Sequence, residues 1–163
     1  MFIQPMKEII KTIDALESGD ELAELIAAGA KIPIVVTGSS MLPFLRNKRD
    51  TVWLMKEENY KRGQILFFRR DNGMFVLHRI RRVYPDGRML LNGDAQTACE
   101  IIRPDQALAV VYAVSRNGKT KPADCLLWKL RDLLWYPTRP LRPVIFSIYR
   151  KLRSLFRKAT EQS

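Results

Sequence analysis

The stretch "QILFFRRDNGMFVLHRIRRVYPDGRMLLNG", residues 64–93, holds three runs that read as strands. "QILFFRR", "MFVLHRIRRVY" and "RMLLNG" are rich in β-branched and aromatic residues and are cut by turn residues. "YPDGR" predicts a hairpin turn between the second and third. The same texture extends outward, with "IPIVVTG" and "TVWLMK" before this stretch and "QALAVVYAV" after it. Six strands within about 85 residues, with no helix between them, predict a compact, mainly antiparallel sheet or small barrel.

Both flanks change character. Residues 6–28 carry helical spacing in Ile9, Ile10, Ile13 and Leu16, then in Leu22, Leu25 and Ile26. A capping-box pattern, Ser18 with Glu21, divides them into two short helices, and Gly29 ends the second. Toward the C-terminus, "PADCLLWKLRDLLWYP" places Leu126, Leu127, Leu130, Leu133 and Leu134 on one helical face. After "YPTRPLRP", a second helix sets Val144, Ile145, Ile148, Leu152, Leu155 and Phe156 on one side. Arg150, Lys151, Arg153, Arg157 and Lys158 fall largely on the other. The expected fold is α+β, in three parts: an N-terminal helical segment (1–30), a β-rich domain (31–118) and a basic amphipathic helical extension (119–163).

With 163 residues, the chain has room for one domain with a real core. Cys99 and Cys125 form no CxxC or Cys/His pattern, so neither a disulfide framework nor a zinc site is expected, and no cofactor or metal is called for. The net charge of +11 is uneven: −4 over residues 1–30, +7 over 31–118 and +8 over 119–163. A basic amphipathic helix with aromatic residues suits an anionic membrane interface, or packs on the sheet with a solvated basic face. No nucleic-acid recognition motif accompanies the charge. The longest apolar run, "ALAVVYAV", is far short of the roughly 20 residues of a spanning helix, and the N-terminus lacks a signal-peptide pattern. The expected location is cytoplasmic, or peripheral on the inner face of the membrane.

Chemistry enters with "VTGSSMLPFL", residues 36–45, and with the single histidine, His78. A serine hydroxyl is a poor nucleophile until a base takes its proton. Strand alternation puts His78 on a face with Val76 and Ile80, where burial favours the neutral imidazole that a general base requires. Taken alone, a lone histidine on an apolar face is ordinarily a core residue, and "GSS" is ordinarily a turn.

In combination the segments resemble a family. "GSSMLPFL" is similar to the Ser-Met-x-Pro nucleophile box of signal peptidase I and its LexA-type relatives. Asp50 stands where the Gly-Asp of that family follows the box. "KRGQILFFRR", "VLHRI" and "NGDAQ" resemble the next three boxes, in order, over about residues 33–100. The resemblance implies a serine endopeptidase of the serine–histidine branch, acting on a peptide or small protein. Ser40 would be the nucleophile and His78 the general base; Arg79 cannot serve, because a guanidinium stays protonated. Asp94, in the Gly-Asp box, or Glu100, six residues later, would orient the imidazole. Asp94 is the slightly favoured of the two. The Ser40 N–H would serve the oxyanion hole, with Ser39 beside the position where many signal peptidases add a hydroxyl; here that position is Gly38. Met41 and Pro43 read as structural.

The chain departs from the pattern at Gly63-Gln64, where the family usually has Gly-Asp, and in the altered "GDAQTACE". Two alternatives follow. One is a peptidase-fold binding module without activity. The other is LexA-type self-cleavage at Ala28-Gly29, about a dozen residues before Ser40.

Overall fold

A computed structural model describes residues 19–161. The first expected helix and the capping Ser18 lie outside the described residues. The second helix is present as α1, Gly19–Ala27. Eight strands follow: β1 Ile32–Val35, β2 Asp50–Met55, β3 Ile65–Arg69, β4 Phe75–Val83, β5 Met89–Asn92, β6 Glu100–Ile102, β7 Ala107–Arg116 and β8 Lys119–Pro122. Two helices close the described chain, α2 Leu126–Trp135 and α3 Arg142–Glu161, joined by a 3-10 segment at Tyr136–Leu141.

The strands form one sheet in the order β1-β2-β7-β3-β4-β5-β6, with β8 also paired to β7. Every one of these pairings is antiparallel. The fold is therefore α+β on a mostly antiparallel sheet. The hairpin between β4 and β5 closes at "YPDGR" through Tyr84 N–H to Arg88 O (2.9 Å) and Gly87 N–H to Tyr84 O (3.0 Å). Gly87 has φ +82, a region that favours glycine.

β3 shows why the sheet is covered on both sides. Successive strand residues point to opposite faces, yet Ile65, Leu66, Phe67 and Phe68 are all buried. Ile65 and Phe67 join a cluster with Ile26 of α1, Met41, Phe44, Leu45 and Trp128 of α2. Leu66 and Phe68 join a second cluster with Ile80, Met89, Leu91, Ile102 and Val110.

Two strands go beyond the six expected. β6 has only three residues, too short for a periodic signal. β8, "KTKP", is wholly exposed and joins the sheet by backbone pairing with β7 and a Thr120–Ser115 hydroxyl bond of 2.6 Å, across a two-residue turn at Asn117 (φ 50) and Gly118 (φ 74). Consecutive positive φ values at Asn-Gly make the tight hairpin turn that suits strand twist.

The C-terminal helices turn several leucines outward. α2 meets the body of the protein through Trp128, Asp132 and Trp135, one stripe at helical spacing. Trp128 is buried against Phe44, with ring centroids 5.9 Å apart. Asp132 reaches Arg81 at 2.6 Å and Arg79 at 3.2 Å. The Trp135 indole donates to Asp94 O at 2.6 Å. Polar anchors thus fix the helix rotation, and Leu126, Leu130, Leu133 and Leu134 are left exposed. Among the described residues, no helix is long and apolar enough to cross a membrane.

Candidate active site

Ser40 lies in the connection between β1 and β2. That connection is pinned at its base by Val36 N–H to Asp50 O (2.9 Å) and Lys48 N–H to Val36 O (2.8 Å). Gly38, at φ +84, makes the turn before the serine, and its N–H donates to Asn47 Oδ1 at 3.2 Å. Immediately after the serine, Met41, Phe44 and Leu45 are buried in the first core cluster. The serine is therefore carried on a loop anchored on both sides.

A second loop holds it from across. The Ser40 carbonyl accepts from Ala95 N–H at 2.7 Å, within the "NGDAQ" segment that follows β5. The approach needs glycine at 93: a Cβ there would stand 2.9 Å from Ser40 O and 2.7 Å from Gln96 Oε1. Under this loop lies Arg142 of α3, fully buried. Its Nη1 donates to Asn92 Oδ1 (2.8 Å) and to the carbonyls of Gln96 (2.5 Å) and Gly93 (3.3 Å).

Ser40 and His78 line one cleft of about 390 Å³, together with Gly38, Arg70 and Gln96. Its walls are apolar, including Leu22, Ile34, Phe67, Phe75 and Leu77. Among the described residues, no hydrogen bond joins the Ser40 hydroxyl to the imidazole, and none takes the Ser40 N–H. Ser39 is exposed and does not line the cleft.

His78 sits on β4 opposite Leu66 of β3 and is only 2% exposed, with its ring against Phe68. Its Nδ1 lies 2.6 Å from Glu100 Oε1, a close approach of the carboxylate to the imidazole. Nε2 is left as the ring nitrogen that can serve the cleft. Burial pushes the imidazole pKa below its ordinary value, against the Glu100 charge, which pulls it up; Arg70 adds to the lowering. Glu100 comes from β6, and Arg70 grips it with two bonds of 2.8 Å, Nε to Oε2 and Nη2 to Oε1. Burial alone would raise the Glu100 pKa; the Arg70 pairing and His78 overcome this and hold it below the usual range.

Asp94 occupies a different place from the one favoured on sequence. It is completely buried and accepts from Arg79 Nε (3.0 Å) and Nη2 (2.7 Å) and from Arg81 Nη2 (2.9 Å). Arg79 and Arg81 project from the side of β4 opposite His78, so the carboxylate that neutralises them does not contact the imidazole. The contact belongs to Glu100, because β6 pairs β5 with Glu100 opposite Leu91, and β5 in turn pairs β4. Arg70 and Arg142 are the members of this arrangement that sequence reasoning missed. Arg70 belongs to a quoted box but has no spacing signal of its own, and Arg142 stands in "YPTRPLRP", which reads as a link between the two helices.

The Ala28-Gly29 bond lies at the C-terminal turn of α1. Ala28 N–H donates to Glu24 O and Gly29 N–H to Ile26 O, both at 2.9 Å, and neither residue lines the cleft. No known protein family, curated protein or solved structure matches the chain.

Proposed function

We propose that this cleft is the active site of a serine endopeptidase with a signal peptidase-like arrangement. One observation carries the reading: Ser40 and His78 open onto the same cleft while Glu100 approaches the far nitrogen of the imidazole. Glu100 would hold the proton on Nδ1 and leave Nε2 free to accept. His78 would take the Ser40 proton as Oγ attacks the scissile carbonyl, then pass it to the leaving amine. A water, deprotonated in the same way, would cleave the acyl-enzyme and regenerate the serine. Among the described residues no acceptor takes the Ser40 N–H, which would donate to the developing oxyanion.

The substrate reading is an extended peptide with an apolar side chain near the cut. β1 is an end strand of the sheet, and Ile34 and Val35 line the cleft, so a peptide can pair with its open edge. The missing Ser40–His78 hydrogen bond favours one competing reading, a binding module that keeps the cleft without turnover. Serine–base contacts often tighten only around substrate, so an open pair in the free cleft is compatible with turnover.

Fluorophosphonate labelling separates the two. The wild type is expected to label, Ser40→Ala to lose the label and His78→Ala to label at least about 100-fold more slowly, the contribution expected of a general base. Labelling that persists undiminished in Ser40→Ala removes the mechanism.

A further inference from the structure

The outward faces of α2 and α3 present large apolar residues to solvent at helical spacing. On α2 these are Leu126, Leu130, Leu133 and Leu134, with Leu126 at 71% and Leu134 at 75% exposure. On α3 they are Val144, Ile148 and Leu152, preceded by exposed Leu141. The inner sides of the helices are already occupied. Trp128, Asp132 and Trp135 hold α2, Arg142 holds α3, and Trp135 meets Phe146 edge-on with centroids 6.2 Å apart. The exposed stripes are therefore not the packing faces of these helices, and apolar surface of this kind marks an interaction site.

Charge selects the occupant. Lys129, Arg131 and Arg150 are exposed on the same helices. The one acidic residue between Leu126 and Leu152 is Asp132, which is turned inward to Arg79 and Arg81. A second copy of the chain would bring cationic face against cationic face, and protein interfaces are depleted of such charges at their centres. An anionic bilayer accepts both features, apolar side chains at the acyl boundary and cations at the headgroups.

We propose that α2 and α3 dock on an anionic lipid surface through these stripes. Arg142 and Trp135 grip the segment 92–96, and Gln96 of that segment lines the cleft, so the docking helices are joined directly to the wall of the cleft. This surface is independent of peptidase activity, and its test reads binding alone.

The full-length protein is mixed with vesicles of phosphatidylcholine alone, or with about a third phosphatidylglycerol, and sedimented. Wild type is expected to pellet with the anionic vesicles at least about tenfold more strongly than with the neutral ones. Leu133→Ser/Leu134→Ser and Lys129→Glu/Arg131→Glu should each abolish that preference; all four positions are exposed, and circular dichroism checks the fold. Wild type that stays in the supernatant with both vesicle types overturns the proposal, as does binding that survives both double substitutions. A vesicle-independent dimer that the leucine variant converts to monomer assigns the face to self-association and also overturns it.

Discussion

Two carboxylates compete for one imidazole in the sequence, and the structure separates them by strand register. Glu100 faces His78 because β6 stands beside β5, whereas Asp94 is enclosed by Arg79 and Arg81. Exchanging each for its amide tests the difference. Glu100→Gln removes the charge that raises the His78 pKa and leaves the Arg70 cation nearby, so the imidazole pKa falls further. The acid limb of the labelling-rate profile, which should already lie below pH 6.5, is expected to move to lower pH. The plateau rate should fall by at least about tenfold as the tautomer loses its anchor. Asp94→Asn should instead cost stability, about 3 kcal/mol, because it leaves two buried guanidinium groups to share the partly exposed Asp132. Urea denaturation of both variants, beside their pH–rate profiles, gives the comparison. An acid limb that moves with Asp94→Asn and not with Glu100→Gln would return Asp94 to the imidazole. Chain spacing alone could not have chosen, since both residues follow β5 within eight positions of Asn92.

At the level of elements, the runs that alternate or are strongly apolar were legible: β1 to β5, β7, the β4–β5 hairpin and the helical character of the C-terminal segments. The elements that were not legible are too short or too polar for a periodic apolar signal, or are anchored by polar groups. β6 has three residues, and β8 is an exposed polar strand whose only local sign is Asn117-Gly118. The rotation of α2 also escaped the pattern, because the buried Trp128, the half-buried Trp135 and an aspartate outrank a leucine stripe when their partners are the core, buried arginines and a carbonyl. The same polar anchoring shapes the site, through the segment 92–96 that holds the Ser40 carbonyl. Gly93→Ala tests that hold. Gly93 is not among the residues of positive φ, so the backbone tolerates alanine, and the added Cβ acts only by crowding Ser40 O and Gln96. The expected result is fluorophosphonate labelling slowed by at least about tenfold, with thermal unfolding shifted by only a few degrees, the size of a 1 kcal/mol change in a domain of this length. Labelling at the wild-type rate would show that the serine keeps its position without the loop's support.

For the molecule as a whole, the lowered pKa values of His78 and of the carboxylates Asp50 and Glu100 make acid destabilising, in two separate windows. His78 is buried with its pKa below the ordinary 6.5, so between these values the unfolded chain binds a proton that the folded chain does not. Its contribution is complete above pH 6.5 and is lost as pH falls toward the folded value. Asp50 acts lower. It is fully buried at the start of β2 and accepts from Arg116 (2.9 and 2.7 Å), Arg49 (2.9 Å) and the Arg46 N–H (2.9 Å), tying the Ser40 connection to β7. Burial pushes its pKa up, but these donors prevail and hold it at about 2 against an ordinary 3.8. Its share, on the order of 1–2 kcal/mol, is present above pH 3.8 and disappears as pH falls toward 2. A chain already at +11 gains further positive charge through the same range, which adds self-repulsion but does not create a step at either residue. Urea unfolding across pH 2.5–8 should therefore show stability declining first below about pH 6.5 and again below about pH 4. His78→Gln should flatten the upper decline and leave the lower one. Asp50→Asn should start from a lower stability at pH 7 and reduce the lower decline, leaving the share that comes from Glu100. If the upper decline persists unchanged in His78→Gln, the only histidine of the chain is not its source, and the imidazole is not held neutral by burial.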